Sequence, residues 1–265
     1  MKMNDTIGSE QTSDIIAGRN PVLEALKSGR NIDTVYIAGE QTGVLGRIGG
    51  LAREQGIVVK QVDDRKLSQL AQGENHQGVV AVGGCAEYVS VADILAAARE
   101  RDEAPFLILA DEIEDPHNLG ALIRTAEAAG AHGLVIPKRR SASLNSTVYK
   151  TSAGAASWLP VARVANLVAA MEELKKEGVW IYGADAEGES WDKADLTGSL
   201  ALVIGSEGEG LGRLVREHCD FFVSLPMLGK ITSLNASVAG GILMYEVLRR
   251  RLPGGIRPER AGAGR

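Results

Sequence analysis

The sequence predicts an α/β protein in two parts: a small alternating α/β unit, then a larger, mostly parallel sheet with helices on both faces. Three observations carry this reading. Strand-like runs alternate with helix-period runs along most of the chain, the order that builds a parallel sheet through helical crossovers. Strand candidates in the second part, such as FLILA at 106–110 and ALVIG at 201–205, are apolar throughout, as strands covered on both faces are. Pro105 separates an Ala-rich, charged stretch from the more apolar pattern that follows, which sets a domain boundary near residue 104.

The polar residues 1–13 read as a flexible leader. IIAGRNPVLEALKSG begins as a short strand or turn and becomes a helix from about Pro21, where proline suits a first turn, closing at Gly29. TVYIAG reads as a strand, LGRIGGLAREQG as a helix weakened by its glycines, IVVKQV as a strand and RKLSQLAQ as a helix. QGVVAVGGCAEYV reads as a final strand pair, so residues 14–86 form the first unit and 87–104 a linker. In the second unit, 105–252, a strand at 106–110 leads through DEIEDPHN into a helix over 119–129 and a strand at 133–136. A helix near 145–153, the strand WLPVARV, a helix over 166–176 and the strands VWIYGAD and LALVIG follow. The loop SEGEGLG, the helix LGRLVREHC, the strand FFVSLP and a long helix complete it. The Gly- and Pro-rich tail 253–265 has too few apolar side chains to pack and is expected to be disordered.

Composition narrows the classes of function. Cys85 and Cys219 lie far apart without CxxC or CxxH spacing, so no disulfide framework and no metal site is expected, and a reducing cytoplasm fits. No run approaches the roughly 20 apolar residues of a membrane span, and the N-terminus has no apolar signal-peptide core. Net charge is −5, yet nucleic-acid binding needs only a local basic patch. Basic residues cluster at Lys138–Arg140, at Arg249–Arg251 and in the tail at Arg257, Arg260 and Arg265. His76, His132 and His218 have no metal-like spacing, and no Gly-x-Ser-x-Gly motif occurs.

Three constellations could carry chemistry. NLGALIRTA, 118–126, lies where a strand-to-helix loop meets its helix, the strand end at which open α/β sheets bind ligands; Asn118 suits a helix cap, and Arg124 needs a partner if buried. Gly205-Ser206-Glu207-Gly208-Glu209-Gly210 has the glycine content of a nucleotide loop. Glu207 and Glu209, however, would face a pyrophosphate, so a cationic ligand or an arginine suits the loop better. In LPMLGKITSLNASVAGGILMYE, Met227, Gly229, Thr232, Ser233 and Asn235 precede an apolar helix; Ser233 or Asn235 could be a cap and no more.

Taken in order and spacing, NLGALIRTA, GSEGEGLG and LPMLGKITSLNASVAGGILMYE closely resemble the three motifs of the SpoU (TrmH-like) RNA 2′-O-methyltransferases. IAGRNPVLEAL with HQGVVA resembles the small L30e-like substrate-binding domain of ribosomal-RNA members. The resemblance implies a deep trefoil knot of SPOUT type, a homodimer, and S-adenosylmethionine as methyl donor. By motif position it puts Gly205, Leu225 and Leu234 at the cofactor, with Ile204, Met227 and Ala236 nearby. Asn118, Arg124, Glu207, Ser233 and Asn235 match the polar active-site positions. Ala236, where many members have valine, and Lys230 are small departures.

The resemblance implies that a ribose hydroxyl attacks the sulfonium methyl in line. Arg124 is expected to contact the target phosphate and hydroxyl, Glu207 to position Arg124, and Asn118, Ser233 and Asn235 to orient the ribose. A guanidinium stays protonated in proteins, so it serves poorly as a literal base. The N-terminal unit and length look most like members that methylate a guanosine in 23S rRNA, with tRNA as the alternative. A noncatalytic RNA-binding protein and a nucleotide-dependent oxidoreductase are the competing classes; intact polar motifs oppose the first, and Glu207 in place of a needed glycine opposes the second.

Overall fold

The computed structural model describes residues 15–83 and 88–252, so the predicted leader and tail, and Cys85, lie outside the described residues. The chain divides into two compact units, one reaching to Glu87 and also taking in Ser143–Tyr149, the other formed by Tyr88–Ala142 and Lys150 onward.

In the first unit, strands β1 (Ile15–Ala17), β2 (Ile32–Ala38), β3 (Val58–Val62) and β4 (Val79–Gly83) form a sheet in the order β1-β4-β2-β3. Only the β2–β3 pair is parallel. Alternation along β2 sorts its side chains by face. Val35 and Ile37 join the core with helices α1 (Arg19–Lys27) and α2 (Gly43–Glu54), whereas Ala38 and Tyr36 pack with Leu67 of α3 (Asp64–Leu70). Helix α1 begins two residues before Pro21, because Gly18, at φ 99°, turns the chain and leaves Pro21 in the first turn. The expected C-terminal strand pair is the single strand β4 within the described residues.

The second unit carries six strands: β5 (Phe106–Ala110), β6 (Gly133–Pro137), β7 (Val161–Val164), β8 (Trp180–Ser190), β9 (Leu200–Ile204) and β10 (Phe221–Ser224). Their order is β10-β8-β9-β5-β6-β7 and every pairing is parallel. All five residues of β5 and of β9 are buried, because both faces are covered. Leu107, Leu109, Ala201 and Val203 face helices α4 (Val91–Glu100) and α7 (Leu167–Lys176) and the short α8 (Arg213–Glu217). The opposite face meets α5 (Pro116–Ala128) and α9 (Ala236–Arg251). A 3-10 turn at Ala155–Ser157 completes this unit's elements, and helix α6 (Ser146–Thr151), shorter than expected, falls mostly within the first unit.

Two expectations require correction. The segment 87–104 is no linker: Val89 bridges Ala162, and α4 buries Val91, Ile94, Leu95 and Ala98 in the sheet's own core. A capping box starts this helix, with Ser90 Oγ accepting from Asp93 N at 3.1 Å and Asp93 Oδ2 accepting from Ser90 N at 2.8 Å. Likewise, α5 starts at Pro116 rather than 119, capped by Asp115, whose Oδ1 accepts from His117 N at 2.8 Å. Proline at the first helical position loses no hydrogen bond, so Asp-Pro sets this end. Asn118 is therefore not the cap.

Helices α5 and α9 pack closely because α9 opens with small residues. A Cβ on Gly240 would lie 2.7 Å from Leu122 Cδ2 and 3.3 Å from Ile204 Cγ1. At its other end, Arg249 and Arg250 pair with the buried Glu246, and Arg251 donates to the carbonyls of Ala104, Pro105 and Gly198. Its guanidinium lies 5.1 Å from the Phe106 ring. This basic run secures the helix end to the sheet.

Candidate active site

The strand order reverses at the β5–β9 pair: β6 and β7 extend the sheet to one side of β5, while β9, β8 and β10 extend it to the other. Ligands of open α/β sheets bind at the carboxyl ends of strands where the order reverses. Here Asp111, just past β5, donates its N–H to Ile204 O at 2.8 Å and accepts from Gly212 N at Oδ2, also 2.8 Å. Burial pushes the Asp111 carboxyl up; the Gly212 amide opposes this by stabilising the charged form. Asp111 thus ties the base of the 205–212 loop to the central strand. Sequence reasoning missed it, although an acidic residue ending a fully apolar strand was a signal.

The loop folds as a tight antiparallel bridge. Ser206 N donates to Gly210 O at 3.0 Å and Gly210 N to Ser206 O at 3.1 Å, with Gly208 at φ 89° and Gly210 at φ 68°. Gly205 is required by closeness instead: a Cβ there would stand 2.3 Å from the Gly210 carbonyl carbon and oxygen.

This closure presents Glu207 to two amides. Asn118, mostly buried at the third position of α5, donates from Nδ2 to Glu207 Oε1 at 3.0 Å. Asn235 Nδ2 donates to Asn118 Oδ1 at 2.9 Å and to the same Glu207 oxygen. The acceptor-only carboxylate fixes which end of each amide faces it. Asn235 Oδ1 meanwhile accepts from Ser237 N at 3.0 Å and Val238 N at 3.2 Å, capping α9. The cap reading of Asn235 therefore holds, and the opposite end of the same side chain joins Asn118 and Glu207.

Beside this network lies a cavity of about 380 Å³, within the range of small-molecule sites. Gly205, Leu225, Leu234, Ile204, Met227 and Ala236 all line it. So do Glu207, Glu209 and Asp185, the last paired with Arg216, while among the described residues no lysine, arginine or histidine does. Such a lining suits a ligand with apolar and cationic parts and disfavours a phosphate-bearing one.

Residues 105–245 match the sequence model of the SpoU rRNA methylase family, and residues 15–89 match that of RNA 2′-O ribose methyltransferase substrate binding. The chain belongs to the SpoU rRNA methylase family. A Bacillus subtilis protein assigned to the TrmH family of tRNA/rRNA methyltransferases, YacO, is 51% identical over 92% of this chain and 99% of its own. One from Staphylococcus haemolyticus, of the same description, is 42% identical over 89% and 96%. Among solved structures, the SpoU methyltransferase AviRb of Streptomyces viridochromogenes, in complex with the cofactor AdoMet, aligns at TM-score 0.57, with 26% identity over 89% of each chain. The A. aeolicus TrmH/SpoU tRNA modifying enzyme aligns at 0.52, with 30% identity over 56% of this chain and 76% of its own.

Within this candidate site, two expected residues stand apart from the hydrogen-bonded network. Arg124 is exposed and makes no hydrogen bond or ion pair with a described residue, so the expected contact with Glu207 is not made here; Asn118 and Asn235 both meet Glu207 at Oε1. Six residues separate Arg124 from Asn118, and at about 100° per residue they point roughly 120° apart around α5. Ser233 lines the cavity, exposed and without a hydrogen-bond partner among the described residues. Near the site, Arg140 pairs with Glu112 at 2.7 Å, which leaves Lys138 and Arg139 as the uncommitted cations of that cluster. Among the described residues no His, Cys, Asp and Glu group could hold a metal, and no helix is long and apolar enough to cross a membrane.

Proposed function

We propose that this protein transfers the methyl group of S-adenosylmethionine to the ribose 2′-hydroxyl of one RNA nucleotide, in the narrow case a guanosine of 23S rRNA, in the cytoplasm. The observation that carries the reading is the Asn118–Glu207–Asn235 network standing at the rim of an acidic, cation-free cavity. S-adenosylmethionine, when bound, supplies a methyl group on a positively charged sulfur. Gly205, Leu225 and Leu234 would hold it chiefly through backbone groups, and Ile204, Met227 and Ala236 through apolar contact. The carboxylate of Glu207 favours positive charge beside it without any phosphate being present.

Asn118, Asn235 and Ser233 orient the ribose so that its hydroxyl meets the methyl group in line. Arg124, an unpaired cation on an exposed helix face, supplies the charge that the target's phosphate needs. It acts as a cation, not as a base. The match of residues 15–89 to the substrate-binding model supports an RNA partner for the first unit.

The same reading includes a deep trefoil knot. Strand β10 stands at the sheet's end, yet α9 lies on β9 and α5, so the chain between them returns across the ends of β8 and β9. It also includes a homodimer, supported by exposed apolar residues beside the site: Leu228 is 99% exposed and Ile231 73%.

The test is nucleotide-resolution mapping of 2′-O-methylation in total RNA from cells with and without the gene. Loss of one 23S guanosine mark supports the narrow target, and loss of a tRNA mark redirects it. Unchanged ribose methylation with loss of a base methyl group overturns the reaction class. Normal single-turnover methylation by Arg124→Ala would remove Arg124 from the mechanism.

A further inference from the structure

A second cavity, of about 650 Å³, lies away from the site, at the outer end of the sheet, where β8 meets β10. Trp180, Tyr182 and Phe221 form an aromatic cluster there, with ring centroids 5.5 Å apart for Trp180–Phe221 and 5.1 Å for Tyr182–Phe221. Trp180 is 55% exposed and Phe221 46%, in a chain with only three tryptophans and three phenylalanines. Four carboxylates, Glu187, Glu189, Asp195 and Asp220, share the lining, and among the described residues no lysine, arginine or histidine does.

Two of these charges are already met, Glu187 by Arg216 and Asp220 by Lys175. The Asp195 carboxylate accepts only from Thr197 and feels Arg250 without pairing with it, the Asp195 carbonyl accepts from the Tyr182 hydroxyl at 2.6 Å, and Glu189 has no side-chain partner among the described residues. Burial, with Asp195, Glu189 and Asp220 adding to it, pushes the Tyr182 phenol up, as a negative local field requires. Exposed aromatic rings beside carboxylates without an ion-pair partner among the described residues select a guanidinium or an ammonium, by cation–π attraction and charge together. The same charges repel an RNA backbone. Among the described residues strand β10 ends the sheet and pairs with β8 alone, so its outer edge has no strand partner there, as pairing with an extended chain requires.

We propose that this pocket binds an arginine- or lysine-rich segment of a partner protein, with one cationic side chain held between Trp180, Phe221, Glu189 and Asp195. Proteins that share an RNA substrate carry such segments to neutralise phosphate, which gives the site a place beside the methylation reaction without taking part in it.

The probe is a peptide of alternating glycine and arginine, titrated into the full chain by calorimetry and by the NMR signal of the Trp180 indole. Binding should shift Trp180 and leave Trp158 unmoved. The double variant Glu189→Gln with Asp195→Asn should weaken binding at least tenfold, with melting temperature and methyl transfer unchanged. Phe221→Ser should weaken it too, and a glycine–glutamate peptide should not bind. Equal binding by the double variant, or a shift of Trp180 by single-stranded RNA, overturns the proposal. The tail's Arg257, Arg260 and Arg265 offer the same chemistry from within the chain, and Arg251 already bonds the rim residue Gly198 at 2.7 Å. A chain ending at Leu252 should bind the peptide as the full chain does; a tenfold gain would assign the pocket to the tail and refute a partner.

Discussion

Replacing Asn235 separates its two duties. Asn235→Ala removes the α9 cap, a loss of about 1 kcal/mol, and leaves Asn118 Oδ1, in a side chain only 9% exposed, without its donor. A lost hydrogen bond of that kind costs about 1 kcal/mol more. The sum, about 2 kcal/mol, corresponds to a fall in melting temperature of roughly 4–8 °C for a unit of this size. Asn235→Ser keeps a capping oxygen and loses only the donors, so it should fall by about half as much. Asn235→Asp caps at least as well, since a carboxylate also suits a helix N-terminus, but it sets two carboxylates against each other at Glu207. It should melt no higher than the serine variant at pH 8 and transfer methyl at least about a hundredfold more slowly there, with partial return of both as pH falls and the pair shares a proton. The assays are thermal unfolding and single-turnover transfer of labelled methyl to RNA from cells lacking the gene. Full activity of Asn235→Asp at pH 8, or equal melting of the serine and alanine variants, would refute the reasoning.

Gly205→Ala places a Cβ against backbone 2.3 Å away, so calorimetry should find S-adenosylmethionine binding weakened more than tenfold, while Gly198→Ala, with open space around its Cβ, should bind normally. His132 accepts from Phe106 N at Nδ1 and meets Glu103 at Nε2, and burial pulls its pKa below 6.5 against the opposing pull of Glu103. The unfolded chain therefore takes up that proton first, so this site's contribution is full above pH about 6.5 and lost as pH falls below it. The decline in melting temperature from pH 7 to pH 5 should be smaller in His132→Gln. Burial, reinforced by Asp220, pushes the Cys219 thiol up to about 12; in a Cys85→Ser background, iodoacetamide at pH 8 should label the protein only after denaturation.

The sheet was legible because its strands are buried on both faces: FLILA and LALVI are unbroken apolar runs, and they became β5 and β9 with almost the expected ends. Elements defined by small or local signals were harder. Helix α4 buries only Val91, Ile94, Leu95 and Ala98, so its Ala-rich, charged sequence read as linker, although Ser90 and Asp93 carried the capping signal. Asn118 looked like a cap because caps are read locally, while the competing Asp115-Pro116 pair stood three residues earlier. The motifs named residues that the fold brings together, but their pairing was not readable: Asn118 meets Glu207 and Asn235 across 89 and 117 residues of chain.

The chemistry of Asn235 explains why a cap reading alone understated it. A helix N-terminus accepts serine, threonine, aspartate or asparagine, because each offers an oxygen to the free N–H groups. Glu207 and Asn118 impose a second condition, a donor on the same side chain at the opposite end. Aspartate has none when ionised, and the hydroxyl of serine or threonine cannot accept at the helix and donate to both partners at that reach. Of the four caps only asparagine meets both conditions, so the residue that starts α9 is also the one that locks Glu207 to α5. Arg124 then stands outside a network whose own charges are already matched, with its cation available to a ligand from outside the chain.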